Sequence, residues 1–425
     1  MPDLSATLAG IRSPNPFWLA SAPPTDKLYN IERAFKAGWG GVVWKTLGED
    51  PPVVNVSSRY GAVHDSARGL YGFNNIELIS DRPLDINLEE ITQAKRDWPD
   101  RAIVVSLMAR MDEGVWADLI RRVVATGADG IELNFGCPHG MCERGMGSAT
   151  GQVPELVEMV TRWAKNASDL PVIVKLTPNI TNILWSAEAA QKGGADAVSL
   201  INTVNSIVSV DLDRMAPTPT VDGKGTHGGY CGPAVKPIAL HMVAEIARNP
   251  ETAKLPISAI GGIGNWRDAA EFLALGAANV QVCTAAMVYG FRIVEDMIDG
   301  LSNWMTAKGY ERLDQFIGAA TPNTVDWNAL NMNFSIKAKI DSGLCIDCGR
   351  CHIACEDTAH QAIRISPHPT LANWRLFEVV DEECVGCNLC FHVCPVPGCI
   401  TMHAEATDKP YVTWEHDPRN PQRVA

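Results

Sequence analysis

Eight short apolar runs punctuate the first three quarters of the chain, at Phe17–Ala20, Gly41–Lys45, Ala102–Leu107, Gly130–Asn134, Val172–Leu176, Ala197–Asn202, Ile257–Ile260 and Asn279–Val282. They do not alternate apolar with polar positions, so both faces of each predicted strand are buried, as in a parallel sheet covered by helices. Between them apolar positions recur with the helical period, which predicts helices over Ile31–Ala37, Val115–Thr126, Val153–Lys165, Ile183–Lys192, Ile238–Arg248 and Trp266–Leu275. Several segments close on a Gly-Ala or Ala-Gly pair (Ala37-Gly38, Gly127-Ala128, Gly194-Ala195, Gly276-Ala277), where glycine takes the left-handed cap before the next strand. Repeated β/α units predict an α/β fold, the (β/α)8 TIM barrel. An open doubly wound sheet is the runner-up. No Gly-x-Gly-x-x-Gly follows a predicted strand at a helix start, so no dinucleotide domain is expected in this chain.

The helical pattern fades around Lys308–Asn331, and a different pattern takes over. The expected division is a barrel over 1–310, a linker over 311–335, a small domain over 336–404 and a tail over 405–425. Of 13 cysteines, nine fall between Cys345 and Cys399, and eight of these form two runs. The first is Cys345-x-x-Cys348-x-x-Cys351-x-x-x-Cys355, the second Cys384-x-x-Cys387-x-x-Cys390-x-x-x-Cys394-Pro395. This is the bacterial ferredoxin spacing for two 4Fe–4S clusters, in which the fourth thiolate of each run reaches the other cluster. Cluster one should take Cys345, Cys348, Cys351 and Cys394; cluster two should take Cys384, Cys387, Cys390 and Cys355. Zinc is the competing metal, but twin runs of this kind disfavour it. Glu356 stands where the first run would carry proline, which changes no ligand, and Cys399 is left for packing.

The formal net charge of −13 over 425 residues argues against a nucleic-acid binder and suits a cytoplasmic protein. Asp3 and the absence of a basic cluster before Trp18-Leu19-Ala20-Ser21-Ala22 argue against a signal peptide. In a chain without an export signal, regularly spaced cysteines read as cluster ligands rather than disulfides. Phe272–Phe291 carries no charged side chain, but its Gly276, Asn279, Gln281, Thr284 and Gly290 make it a poor membrane segment. A buried helix end followed by a buried strand explains it better.

Polar residues gather where the predicted strands end: Ser21, Lys45-Thr46, Asn134, Lys175, Asn202-Thr203, Gly261-Gly262 and Cys283-Thr284. In a barrel all of these face one mouth. Two lysines that each interrupt an apolar run should meet something anionic. Gly261-Gly262-Ile263-Gly264 is either a tight turn or, being in the standard position after the seventh strand, a phosphate cradle. Phosphate, lysines and a thiol loop together suggest flavin mononucleotide (FMN), whose reduced ring a nearby lysine stabilises. Asn75, Asn134, Asn202 and Thr203 could read a small planar ligand alternating C=O and N–H, as a pyrimidine does. The run Asn134-Phe135-Gly136-Cys137-Pro138-His139-Gly140 ends an apolar strand in a glycine-rich loop. By itself it leaves both a buried packing cysteine and a reactive thiol on a mobile loop open.

With these residues in view the chain resembles the dihydropyrimidine dehydrogenases: the catalytic subunit of the bacterial NAD-dependent enzymes and the C-terminal half of the single-chain animal enzymes. The resemblance runs through Asn15-Pro16-Phe17, Trp44-Lys45-Thr46, Asn75-Ile76-Glu77-Leu78-Ile79-Ser80, Glu132-Leu133-Asn134 with Cys137-Pro138-His139-Gly140-Met141, and Glu143-Arg144-Gly145-Met146-Gly147. It continues through Lys175-Leu176-Thr177-Pro178-Asn179, Gln281-Val282-Cys283 and both cysteine runs. It implies a dihydroorotate dehydrogenase-like barrel in which Ser21, Lys45, Thr46, Lys175, Gly232, Ile260, Gly261, Gly262, Cys283 and Thr284 contact FMN. It implies a pyrimidine site of Asn75, Asn134, Phe135, Gly136, Asn202 and Thr203, with Cys137 as general acid/base. The single-chain enzymes carry serine where Gly136 stands, so one side-chain contact is missing or replaced. Cys142 is a second thiol in the loop but lies off the motif.

The implied reaction is reversible reduction of the C5=C6 bond of uracil or thymine to the dihydropyrimidine. Hydride would pass from FMN N5 to C6 and a proton from Cys137 to C5, so the thiol must be protonated for the reductive direction. Electrons would arrive through the two clusters from a partner subunit holding FAD and NAD(P)H, in a hetero-oligomer built on a homodimer. No nucleic-acid or membrane partner is expected. The rival reading is a dihydroorotate dehydrogenase-like enzyme, against which the fused ferredoxin-type domain and His139 argue.

Overall fold

The computed structural model describes residues 1–65, 69–406 and 408–422. The chain divides into two units, Met1–Thr324 and Val325–Ala425. In the first, strands β1 (Phe17–Leu19), β2 (Gly41–Leu47), β3 (Ala102–Leu107), β4 (Gly130–Asn134), β5 (Val172–Lys175), β6 (Ala197–Leu200), β7 (Ile257–Ile260) and β8 (Asn279–Val282) pair in parallel, and β8 closes on β1. Both faces of these strands are buried, which is why the sequence shows runs rather than alternation. The pairing of β2 with β3 shifts register between Trp44 and Leu47, at Lys45 and Thr46. Such an irregularity re-aims side chains next to a site.

The barrel helices take their starts from short polar caps. Asp112 accepts from the Val115 amide, Asn182 from Leu184 and Asn265 from both Arg267 and Asp268. The helix Leu84–Asp97 was not anticipated. It buries only Leu84, Asn87, Ile91 and Ala94, too thin an apolar stripe to stand out among its charges. The uncharged stretch from Phe272 resolves into the end of the helix Trp266–Ala274, then β8, then the short helix Thr284–Tyr289. No helix among the described residues is long and apolar enough to cross a membrane.

Each end of the barrel carries an addition. A hairpin of Ala6–Leu8 and Ile11–Ser13 plugs the floor, packing Leu8 and Ile11 against Trp18, Val43, Val104 and Ile173. Over the mouth lies a four-stranded antiparallel sheet, in the order Val204–Ser206, Gly228–Cys231, Gly69–Asn75, Tyr60–Asp65. Its strands come from the segments after β2 and after β6, and the periodicity reading assigned them no structure. The reason is visible at Gly72, where a Cβ would sit 1.6 Å from the Tyr230 hydroxyl oxygen. A glycine that makes room for an aromatic side chain of the neighbouring strand leaves no alternation to read.

Residues 311–324, expected as linker, are held on the barrel. Leu313 and Phe316 are buried, and the amides of Gly318 and Ala320 donate to the carbonyls of Leu273 and Ala274. The second unit pairs Ile336–Ile340 with Ile400–Ala404 and Ile363–Pro367 with Arg375–Val379, both antiparallel. The helices Arg350–Glu356 and Leu389–Val393 complete it around Ala338, Ile363, Phe377 and Ile400. The segment after residue 405 folds back: Trp414 meets Trp327 edge-on at 5.6 Å, and the Met332 amide donates to the Val412 carbonyl.

Candidate active site

A cavity of about 590 Å³ opens between the carboxyl ends of the barrel strands and the roof sheet. Ser21, Lys45, Thr46, Asn134, Lys175, Asn202 and Thr203 line it from β1 to β6, and Ile260, Gly261, Gly262, Cys283 and Thr284 from β7 and β8. Asn75 and Gly232 reach it from the roof. Of the residues anticipated from sequence, Phe135 and Gly136 do not line it. Phe135 is buried, its ring edge-on to Trp116 at 6.4 Å in the barrel wall. Gly136 packs flat on Asn202: a Cβ there would lie 2.4 Å from the Asn202 Cβ. A serine at 136 therefore requires Asn202 to move.

Hydroxyls and amides form a connected floor. Thr46 Oγ1 lies 3.1 Å from Ser21 Oγ and 2.9 Å from Ser106 Oγ, and accepts from Asn134 Nδ2 at 2.9 Å. Asn134 Oδ1 accepts from Asn202 Nδ2 at 3.0 Å and from the Gly136 amide at 3.1 Å. Asn202 Oδ1 takes the Thr203 amide, and Asn75 Nδ2 donates to the Gly229 carbonyl. Each asparagine has two amide protons. Asn134 and Asn202 thus each commit one Nδ2 proton to the protein and keep one for a ligand, whereas the Asn75 amide also engages the Cys231 thiol.

The two strand-end lysines meet carboxylates of the chain itself. Lys45 Nζ donates to Glu77 Oε1 at 2.7 Å, and Lys175 Nζ lies 3.6 Å from Glu132 Oε1. Glu132 is wholly buried in β4 and accepts from Ser199 Oγ at 2.8 Å. Neither glutamate was singled out from sequence. The signal for Glu132 was present: a lone carboxylate inside an apolar strand needs an interior partner. For Glu77 there was none, since its segment showed no period.

Cys137 lies at the head of the loop leaving β4. It is 8 % exposed and packs with Ile79, Met108, Met141 and Met146. Burial pushes its thiol up to about 11, against the weaker opposing effect of the His139 backbone. The thiol is therefore protonated at neutral pH. The loop is tied down twice: His139 Nε2 donates to the Glu77 carbonyl at 2.9 Å, and His227 Nε2 to the Pro138 carbonyl at 3.2 Å. Burial holds His139 neutral, below its ordinary range. Cys142 turns away and donates to the Pro138 carbonyl at 3.1 Å. Gly147 closes the loop at φ +59°, where a Cβ would meet the Cys137 carbonyl oxygen at 2.7 Å.

In the second unit two small voids gather the cysteines. One is bordered by Cys345, Cys348, Cys351, Cys394 and Cys399, the other by Cys355, Cys384, Cys387 and Cys390. The fourth residue of each run thus crosses to the other run's void. Cys399 is buried beside the first and donates to the Asp341 carbonyl at 3.6 Å.

A profile of the family described as dihydroorotate dehydrogenase matches residues 3–305. The chain belongs to the dihydroorotate dehydrogenase family. A second profile, the 4Fe-4S dicluster domain, matches residues 338–402. Among family relatives, the NAD-dependent dihydropyrimidine dehydrogenase subunit PreA of Escherichia coli (strain K12) is 44 % identical over 401 residues, 94 % of this chain and 95 % of that protein. The chloroplastic dihydropyrimidine dehydrogenase (NADP(+)) of Arabidopsis thaliana is 40 % identical over 75 % of this chain and 76 % of its own length. The catalytic subunit of dihydroorotate dehydrogenase B (NAD(+)) of Pyrococcus abyssi is 37 % identical over 318 residues, 75 % of this chain and 99 % of its own.

Dihydroorotate dehydrogenase family barrels bind FMN, and this mouth fits it. Gly261 and Gly262 have φ of +133° and +71°, and a Cβ on Gly262 would strike Lys236 Cβ at 2.7 Å and fill the cradle. Gln281 Oε1 is buried at the floor without a protein partner, an acceptor facing the ligand space. The voids of the second unit offer sulfur to two 4Fe–4S clusters, as a dicluster domain requires. This member of the family is an oxidoreductase carrying FMN and two 4Fe–4S clusters.

Proposed function

We propose that the chain reduces the C5=C6 bond of uracil or thymine to the 5,6-dihydropyrimidine, reversibly. The observation that carries this reading is the reach of the likeness. The bacterial relative named for dihydropyrimidine chemistry is matched over 401 residues, which takes in the dicluster unit, and both relatives so named are more identical to the chain (44 % and 40 %) than the dihydroorotate enzyme, matched over 318 residues at 37 %. The dihydroorotate reading also needs a partner for the substrate's C6 carboxylate, and Lys45 and Lys175 are already paired.

When bound, FMN supplies the hydride for C6 from N5. Ser21, Lys45, Thr46, Lys175, Gly232, Ile260, Gly261, Gly262, Cys283 and Thr284 hold it. Asn75, Asn134, Asn202 and Thr203 orient the pyrimidine by the amide protons and lone pairs the floor leaves free, while Phe135 and Gly136 act through backbone and wall. Cys137 gives its proton to C5 as charge builds on the C4 carbonyl oxygen. A thiol kept protonated by burial suits a general acid in the reductive direction. The amides stabilise the developing enolate and leave unpaired groups behind when an analogue lacks the matching edge. Cys345, Cys348, Cys351 and Cys394 would ligate one cluster, and Cys384, Cys387, Cys390 and Cys355 the other. Electrons enter from a separate subunit with FAD and NAD(P)H, in an assembly built on a homodimer.

The test is anaerobic: reduce the purified protein with dithionite, then add uracil or orotate and follow flavin absorbance. Reoxidation by uracil, slowed severely in Cys137→Ala, is the expected result. Faster reoxidation by orotate than by uracil rejects the proposal.

A further inference from the structure

Three parts of the mouth meet at Glu77. Its Oε1 accepts from Lys45 at 2.7 Å, on the barrel. Its Oε2 accepts from Arg59 at 3.1 Å and from the Tyr60 hydroxyl at 2.7 Å, at the edge of the roof sheet. Its backbone carbonyl accepts from His139, two residues past Cys137. The Lys45 side chain is 6 % exposed and that of Glu77 9 %, so water does little to screen their interaction. The Asp26 carboxylate stands 3.8 Å from the same ammonium. Burial alone would raise Glu77, but Lys45, Tyr60 and Arg59 outweigh it and keep the carboxylate ionised. An ammonium has three protons. With one fixed on Glu77 and the Asp26 carboxylate near by, the roof decides where the other two point and how much net charge Lys45 presents to the cavity.

We propose that Glu77 is a positioning residue for the flavin: its carboxylate orients the Lys45 ammonium and offsets part of its charge, so the reduction potential of bound FMN is set from the roof. This rests on FMN occupying the mouth and is independent of which substrate is reduced. Without the carboxylate, more of the Lys45 charge acts on the ring and favours its anionic reduced form, only Asp26 remaining to offset it.

Sulfite adds to oxidised flavins more tightly as the potential rises, and it needs no pyrimidine. The experiment titrates sulfite into the purified holoenzyme and follows bleaching, with the potential measured alongside by spectroelectrochemistry. Glu77→Gln should bind sulfite about tenfold more tightly, which for a two-electron couple is about 30 mV. In a Lys45→Met background the same change should have no effect, the coupling a double-mutant cycle isolates. Should Glu77→Gln fail to retain flavin, Tyr60→Phe serves: it frees the carboxylate toward Lys45 and should weaken sulfite binding roughly twofold. Unchanged sulfite affinity in Glu77→Gln, or in Tyr60→Phe when that variant is used, overturns the proposal. A gain that persists without Lys45 overturns it as well.

Discussion

At residue scale the proposed chemistry would turn on keeping one thiol protonated beside a polar floor. Cys137 has its sulfur among Ile79, Met108, Met141 and Met146, and desolvation raises it. Cys137→Ala should lower pyrimidine turnover by about 10²–10⁴-fold, the usual worth of a positioned general acid. Dithionite reduction of the flavin should be unaffected, as measured by stopped-flow absorbance. Cys142→Ala should stay near wild type, because its sulfur is spent on the Pro138 carbonyl. Gly147→Ala should cost about 1–3 kcal/mol in thermal melts, since it combines a strained backbone with a clash against the Cys137 carbonyl. Turnover should fall with it.

Among elements, the loop after β4 and the roof sheet act as a pair. His139 binds the loop to the roof at Glu77, and His227, just before the roof strand Gly228–Cys231, binds it again at Pro138. Removing the second tie with His227→Ala forfeits a hydrogen bond worth about 1 kcal/mol, or roughly fivefold in loop opening. Limited trypsin cleavage at the exposed Arg144 should accelerate by that factor, with a smaller loss in turnover. Unchanged cleavage would mean that His139 alone holds the loop.

On the scale of the whole molecule, thiols at and around the mouth couple stability to pH, Cys137 buried and Cys231 and Cys283 half-buried. Burial pushes Cys137 and Cys231 up to about 11 and Cys283 up to about 12, from an ordinary value near 9. The folded state keeps these protons longer than the unfolded chain does. Their contribution is therefore complete below about pH 9 and is lost as pH rises from 9 to about 11 for Cys137 and Cys231 and to about 12 for Cys283. Melting temperature should fall across that window, and less steeply in Cys283→Ala. The second unit gives a separate prediction. Cys355→Ser should halve the iron content and remove the cluster held by Cys384, Cys387 and Cys390, although Cys355 belongs to the first run. Loss of the other cluster instead, read by electron paramagnetic resonance, would reverse the assignment.

The chain's sequence was sufficient for whatever depends on local period and spacing. Strands buried on both faces read as unbroken apolar runs, and the observed barrel strands begin and end within a few residues of them. Thiols at fixed intervals specify a dicluster domain because three ligands of each cluster lie on one short loop. Strand ends share one mouth in a barrel, so Lys45, Asn134 and Lys175 group together from sequence alone. What tertiary structure alone decided are pairings between segments far apart in the chain. The roof sheet joins Gly69–Asn75 to Gly228–Cys231 and that strand to Val204–Ser206, segments without a readable period. The partners of Lys45 and Lys175 proved to be Glu77 and Glu132, and Phe135 turned into the wall against Trp116. Such contacts depend on which side chains reach a common point in space, and one-dimensional periodicity holds no record of that.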